Sequence, residues 1–220
     1  MIAERALEFV KDGDIVGLGT GRAATGFVHA LGRAVAAGLR VRGIPTSQAT
    51  AELARQLGIP LTSLEEVETI DVAVDGADEV APNLDLIKGR GGALLREKIV
   101  ATAARHFVIL VGKEKCVPVL GSQGLLPIEV VPFGAAFCQR RLASLGVRAE
   151  LRAEGSRPYV TDNGNYVFQG RIAALADAKG LDLQLRAIPG VVATGFFLGM
   201  ADTILIQDGD RVELRQRAVS

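Results

Sequence analysis

Short continuous apolar runs alternate with helical apolar spacings through the first half of the chain. Asp14-Ile15-Val16-Gly17-Leu18 reads as a short buried strand, and residues 23–39 as a helix ending near Gly38. Residues 39–44 predict the next strand, and 48–57 a helix stopped by Gly58 and then Pro60. Ile70-Asp71-Val72-Ala73-Val74 is β-branched and runs straight into Asp75-Gly76. Residues 93–105 carry Leu95, Ile99 and Ala103 at helical spacing, and 106–111 form another buried strand. Strand–helix alternation with continuous apolar strands predicts an α/β fold built on a parallel, doubly wound sheet.

The pattern then changes. Residues 128–133 predict a strand, 134–145 a helix closed by Gly146, and 147–151 a strand. A hairpin-like pair around Asp162-Asn163-Gly164-Asn165 follows, then a short helix at 183–187 and a strand at Val191-Val192. That order, β-α-β-β-α-β, is the ferredoxin-like plan. Residues 201–214 alternate apolar and polar positions as two strands joined at Asp208-Gly209. If they return to the first sheet, the middle region is an insertion.

Composition narrows the functions available. Lys+Arg and Asp+Glu both number 25, so the net charge is zero, and no basic run stands out. Nucleic acid and anionic membranes are therefore not expected as partners. Cys116 and Cys138 form no CxxC motif, and His29 and His106 have no companion ligands nearby, so neither a disulfide framework nor a metal centre is expected. The opening residues carry an early acid at Glu4 and no long apolar run, and no stretch approaches the roughly 20 residues needed to span a bilayer. The expectation is a cytoplasmic protein. The 26 glycines in 220 residues exceed the usual share of about 7%. Glycine in excess marks turns where backbone approaches a ligand.

Four segments place polar groups at the C-terminal ends of predicted strands, the rim where open α/β sheets bind ligands. In Gly17-Leu18-Gly19-Thr20-Gly21-Arg22, a glycine turn leads into a helix, whose N-terminal N–H groups attract phosphate. The spacing fits a dinucleotide fingerprint, but the region about 20 residues on, Gly43-Ile44-Pro45-Thr46-Ser47, has no ribose-binding carboxylate. A single phosphate fits better than NAD. Thr46-Ser47-Gln48-Ala49-Thr50 brings hydroxyls to a helix start, where an N-cap alone would explain them. Asp75-Gly76-Ala77-Asp78-Glu79 crowds three carboxylates, which would repel one another unless a cation is near; magnesium is one such cation. Lys88-Gly89-Arg90-Gly91-Gly92-Ala93 supplies a lysine as an alternative counter-charge, and Glu97 follows in an early helical turn. A phosphate loop, acids, a lysine and an isolated glutamate suit proton transfer on a small phosphorylated sugar.

These blocks, with Leu126-Pro127-Ile128-Glu129-Val130, Thr161-Asp162-Asn163-Gly164-Asn165 and Ile188-Pro189-Gly190, occur in an order that resembles the ribose-5-phosphate isomerase A family over nearly the whole chain. The DGADE block and the run from Lys88 to Lys98 are its most specific parts. The resemblance implies a Rossmann-like domain at 1–120 and 193–220 with a ferredoxin-like oligomerisation insertion at 121–192, assembled as a homodimer or dimer of dimers. It implies interconversion of D-ribose 5-phosphate and D-ribulose 5-phosphate through an enediolate, without metal or cofactor, in the non-oxidative pentose phosphate pathway. By the same resemblance Glu97 is the base between C1 and C2, and Asp75 the acid-base group for ring opening. Asp78 and Lys88 hold hydroxyls and stabilise the enediolate. Gly19, Thr20, Gly21 and Lys115 bind phosphate and substrate, with Gly89, Gly91 and Gly92 shaping the second loop.

Four positions depart from the family pattern. Arg22 and Ala23 stand where two hydroxyl donors are common, so Arg22 or backbone N–H groups would have to compensate. Gln169 stands where an Asp is frequent, and Arg90 interrupts a glycine run. A non-catalytic sugar-phosphate sensor on the same fold is a second reading. It would need a DNA-binding helix-turn-helix, for which these 220 residues leave no room.

Overall fold

A computed structural model of the chain describes residues 1–217. Residues 218–220, which the family resemblance assigns to the first domain, lie outside the described residues. The chain begins with α1 (Ile2–Ala6), β1 (Ile15–Leu18), α2 (Arg22–Ala36), β2 (Arg42–Pro45), α3 (Gln48–Gln56) and β3 (Val72–Gly76). Next come β4 (Glu79–Val80), β5 (Leu86–Ile87), α4 (Leu94–Ala103), β6 (Phe107–Gly112), β7 (Leu125–Val130), α5 (Ala135–Ser144) and β8 (Arg148–Leu151). The rest comprises β9 (Ala153–Glu154), β10 (Arg157–Pro158), β11 (Tyr166–Arg171), α6 (Ala178–Arg186), β12 (Val191–Thr194), β13 (Phe196–Phe197), β14 (Thr203–Asp208) and β15 (Arg211–Gln216). No helix of the described residues is long and apolar enough to cross a membrane.

The chain divides into two compact units. Met1–Ala77, Arg96–Lys115 and the chain from Gly199 make the first; Asp78–Leu95 and Cys116–Leu198 make the second. Residues 78–95 fall in the second unit because β5 pairs antiparallel with both β4 and β13, and Val80 bridges Cys116.

The first unit is a six-stranded sheet in the order β15-β14-β6-β3-β1-β2, parallel except for β15 at the edge. Taking the parallel strands in chain order, this is the 2-1-3-4-5 winding, which reverses direction between β1 and β3. Alternation along the strands sends Val16, Leu18, Val72, Val74, Val108 and Leu110 into one core with Phe27 and Leu31 of α2. Gly17 and Ala73 point the other way, toward Val100 of α4. A Cβ on Gly17 would stand 2.6 Å from the Val100 side chain, so the missing side chain is what lets α4 settle on β1.

In the second unit an antiparallel sheet, β12-β7-β11-β8, has the 4-1-3-2 strand order of the ferredoxin-like plan. Leu126, Ile128 and Val130 face Cys138 and Leu142 of α5 and Leu185 of α6. Several boundaries differ from the sequence expectation. The strand expected at 128–133 lies at Leu125–Val130, because Pro132–Gly134 turns into a short 3-10 helix ahead of α5. Pro127 is tolerated inside β7 because its carbonyl still accepts from the Gly195 N–H at 2.7 Å, while the Gly195 carbonyl takes the Lys88 N–H at 2.9 Å and asks no donor of the proline. The hairpin-like pair expected around 162–165 is a tight turn, with the Gly164 N–H on the Thr161 carbonyl at 2.9 Å and an antiparallel bridge between Val160 and Tyr166; a second hairpin, β9–β10, precedes it. Helix α6 starts at Ala178, five residues before the expected start, because the Asp177 carboxylate caps it from the Gly180 N–H.

Candidate active site

The reversal of strand order in the first unit places the turn after β1 beside the end of β3. The Gly19 N–H donates to the Val74 carbonyl at 3.0 Å. A Cβ on Gly19 would stand 2.3 Å from the Asp75 carboxyl carbon and 2.7 Å from its Cα, so glycine is required here by close approach. Gly21 is required for a different reason: its φ is +104° and nothing lies within 4 Å of its missing Cβ. Gly21 is also the N-cap of α2 and has no side chain with which to cap it. The first-turn N–H groups of this 15-residue helix therefore present an uncapped positive dipole end, a ready anion site. Arg22 opens the helix and is exposed to solvent.

Thr20 sits at the centre of a hydroxyl cluster. Its hydroxyl donates to Ser47 Oγ at 2.9 Å and lies 2.7 Å from Thr46 Oγ1 and 3.2 Å from Thr50 Oγ1. The three partners are buried and anchored in turn: Thr46 donates to the Leu18 carbonyl, Thr50 to the Gly19 carbonyl and Ser47 to Thr50 Oγ1. Ser47 also caps α3, accepting from the Thr50 N–H at 3.1 Å. The N-cap reading of this segment is thus correct and incomplete, since its hydroxyls also fix the loop after β1.

Asp75, at the end of β3, is buried. Its Oδ1 accepts from the Gly76 N–H at 2.7 Å and the Thr20 N–H at 3.2 Å. Glu97 is also buried, at 3% exposure, in the first turn of α4. Three residues on, Val100 occupies the same helix face and packs on Gly17 of the strand that leads into the glycine turn. Lys115 ends a 3-10 turn directly after β6, half-buried at the same C-terminal end of the strands.

In the second unit, the Asp78 Oδ2 accepts from the Arg90 N–H at 3.1 Å, and the Arg90 side chain stands 3.9 Å from Asp78 Oδ1. Lys88 is 2% exposed, with its N–H on the Gly195 carbonyl at 2.9 Å and its ammonium 5.4 Å from the centre of the Phe197 ring. That is the geometry of a cation–π contact. Gly89 and Gly92 have φ of +107° and +91°, and the Gly92 N–H closes a turn on the Gly89 carbonyl at 2.9 Å. Glu79 is turned away to a structural task, accepting from the Gly121 and Gln123 N–H groups at 2.7 Å each. The repulsion expected among Asp75, Asp78 and Glu79 is relieved because each carboxylate has its own backbone donors.

The remaining reactive side chains have structural surroundings. Burial pushes the Cys138 thiol up from its ordinary range, which keeps it protonated. His106 stacks on Phe9 and lies 3.0 Å from the Thr203 hydroxyl, while His29 is exposed. Among the described residues no group of three His, Cys, Asp or Glu side chains is placed to hold a metal ion.

A family model described as ribose 5-phosphate isomerase A (phosphoriboisomerase A) matches residues 42–211. The chain belongs to this family. A ribose-5-phosphate isomerase A from Roseiflexus sp. (strain RS-1) is 49% identical over 213 residues, spanning 96% of this chain and 91% of that protein. The solved structure of ribose 5-phosphate isomerase A from Methanocaldococcus jannaschii matches with a TM-score of 0.92 at 39% identity, over 98% of this chain and 96% of that one. A D-ribose-5-phosphate isomerase solved in complex with phospho-erythronic acid matches with a TM-score of 0.94 at 38% identity, with the same coverage of both chains.

For a member of the ribose 5-phosphate isomerase A family, the sequence signals were uneven. Gly19, Thr20, Gly21, Arg22, Asp75, Glu97 and Lys115 all lie in the first unit, and hydrogen bonding ties Thr20 to Asp75. Asp78, Lys88, Gly89, Gly91 and Gly92 lie in the second. Thr46, Ser47 and Thr50 gave a weak signal by themselves, that of a cap, and a stronger one by their expected place beside the first loop, which they do fix. Glu79 carried no signal that separates it from Asp78.

Proposed function

We propose that this chain interconverts D-ribose 5-phosphate and D-ribulose 5-phosphate through an enediolate. The observation that carries the reading is a buried glutamate, Glu97, held on the helix face that packs against the strand feeding an uncapped, phosphate-competent helix terminus. The phosphate sits at the first turn of α2, where N–H groups and the Thr20 hydroxyl meet it. The Thr46, Ser47 and Thr50 hydroxyls already donate to the Leu18 carbonyl, to Thr50 Oγ1 and to the Gly19 carbonyl, so Arg22 and the backbone N–H groups replace the donors lost where Arg22 and Ala23 stand. Asp75 passes the proton that opens the furanose ring to the aldehyde.

Glu97 then removes the C2 proton of the open-chain aldose. The C–H electron pair becomes the C1=C2 bond, and the former carbonyl oxygen takes the negative charge. The same carboxyl returns a proton to C1 while the proton of the C2 hydroxyl passes to the O1 oxyanion, giving the ketose with no net oxidation. In this reading Lys88 compensates the enediolate charge and Asp78 holds substrate hydroxyls. Such fixed charges act strongly where water is excluded. The residues need no metal or cofactor to complete this proton balance.

The protein works in the cytoplasm as a homodimer. The reading of a second copy draws on the second unit, where Phe133 is fully exposed and Val131 and Phe137 are large apolar residues left in solvent. Sedimentation of Phe133→Ser at micromolar concentration should show monomers; an unchanged dimer would place the contact elsewhere. For the activity, purified protein with ribose 5-phosphate and excess chelator should form ribulose 5-phosphate, and unphosphorylated ribose should react poorly. Absence of turnover would overturn the reading.

A further inference from the structure

The Lys88–Gly92 loop has left-handed glycines at both ends of the turn that follows Lys88, so its own conformational preference does not hold it. Gly89 and Arg90 also border a recess of about 80 Å³, shared with Pro127, Arg152, Val167 and Gln169, so packing leaves the loop room to shift. What fixes it is polar. The Arg90 N–H is taken by Asp78, and the Arg90 carbonyl accepts from Arg152 Nη1 at 3.0 Å. The Arg152 guanidinium in turn lies 3.8 Å above the centre of the Tyr159 ring. Tyr159 closes against the loop as well: its hydroxyl is 3.4 Å from the Gly91 carbonyl, and a Cβ on Gly92 would stand 2.4 Å from that hydroxyl.

We infer that Arg152 is a positioning residue for the reaction, clamping the Arg90 peptide and so the loop behind Lys88, with the Tyr159 ring as the platform that aims its guanidinium. Both residues flank the β9–β10 hairpin, which has few other contacts with the sheet below it: the hairpin's own residues are exposed, while Arg152 and Tyr159 are half-buried. The Arg152 N–H on the Val167 carbonyl at 2.8 Å and the Tyr159 N–H on the Arg152 carbonyl at 2.9 Å fix the backbone of both residues. The planar guanidinium is suited to the task, because it stacks on a ring face and donates in its own plane at the same time. Lysine can donate but cannot stack in that way.

This inference rests on the isomerase reading, and its test has one arm that does not. In the ligand-free protein, amide hydrogen exchange of the 88–94 segment followed by mass spectrometry should speed up about tenfold or more in Arg152→Met and Tyr159→Leu, and stay at the wild-type rate in Tyr159→Phe, which keeps the ring. In turnover, Arg152→Met and Tyr159→Leu should lose about tenfold or more in kcat with KM changed less, because a misplaced loop spoils alignment more than binding. Arg152→Lys should recover part of that loss. Each comparison is made on protein whose melting curve shows a folded state, and Tyr159→Leu carries it alone if Arg152→Met does not fold. Unchanged exchange and unchanged kcat in folded Arg152→Met or Tyr159→Leu would overturn the clamp. Loss in Tyr159→Phe as large as in Tyr159→Leu would overturn the role given to the ring. A wild-type protein inert toward ribose 5-phosphate would sink the isomerase reading and leave the exchange arm to judge the clamp.

Discussion

Substituting Gly19 by alanine tests the close approach of β1 and β3 on which the site is built. The new methyl carbon would stand 2.3 Å from the Asp75 carboxyl carbon and Oδ1, and 2.7 Å from its Cα. Ordinary carbon contacts are about 3.5–4.0 Å, so the turn and Asp75 must separate by about 1 Å. The obstacle includes backbone, and the parallel pairing of Val16 with Val72, Gly17 with Ala73 and Leu18 with Val74 resists the shift. Overpacking of this kind costs about 1–3 kcal/mol. At about 2–4 °C per kcal/mol for a chain of this length, the melting temperature should fall by about 2–12 °C.

Activity should suffer far more than folding. A domain of ordinary stability remains almost wholly folded after such a loss. A reacting group displaced by about 1 Å, however, loses about 100-fold in rate. The Thr20 N–H bond to Asp75, already 3.2 Å, would open at the same time. Gly21→Ala is the control, because its strain of about 1–3 kcal/mol comes from a positive φ with extended ψ and not from a clash. It should lower stability similarly, spare kcat, and act mainly on KM. The assay is kcat and KM for ribose 5-phosphate beside thermal melting of each variant. Gly19→Ala with kcat within about threefold of wild type would refute the reasoning.

Two further substitutions separate the hydroxyl cluster from the structural carboxylate. Ser47→Ala removes the α3 cap and one partner of Thr20. It should lower stability by about 1 kcal/mol in thermal melts and raise KM for the phosphorylated sugar above its effect on kcat. Glu79→Gln sets an amide NH₂ against one of two backbone donors at a fully buried position. Denaturant curves should show a loss of about 1–3 kcal/mol, while kcat at permissive temperature stays at the wild-type value.

Strand order shows why much of this was legible from the chain. A parallel sheet needs continuous apolar strands, and Ile15–Leu18, Val72–Val74 and Phe107–Val111 read as such without help from neighbours. Glycine turns at their ends then marked the rim of the site. What escaped notice was set by pairing across long separations. β4, β5 and β13 are two residues each, too short to carry any period, and they exist because they find one another. Pro127 fits within β7 only because the Gly195 carbonyl is taken by the Lys88 N–H, a pairing across more than 100 residues. Asp75, Asp78 and Glu79 share one motif, yet only the fold assigns Glu79 to the loop at Gly121. In the same way Arg152 and Tyr159 belong to no motif, and stand beside the loop only through the β8–β11 ladder and the hairpin it supports.

The central claim is that a carboxylate at Glu97 moves a proton through an enediolate, and isomerisation in deuterated water tests it most directly. With ribose 5-phosphate in ²H₂O, the wild-type protein should form ribulose 5-phosphate carrying solvent deuterium at C1, seen by proton NMR, because a carboxyl in the enediolate state exchanges with water. Glu97→Gln, folded by its melting curve, should lose about 100-fold or more in turnover and incorporate no deuterium at that carbon. Deuterium-free product from the wild type, as a direct hydride shift would give, or undiminished turnover by Glu97→Gln, would contradict the account.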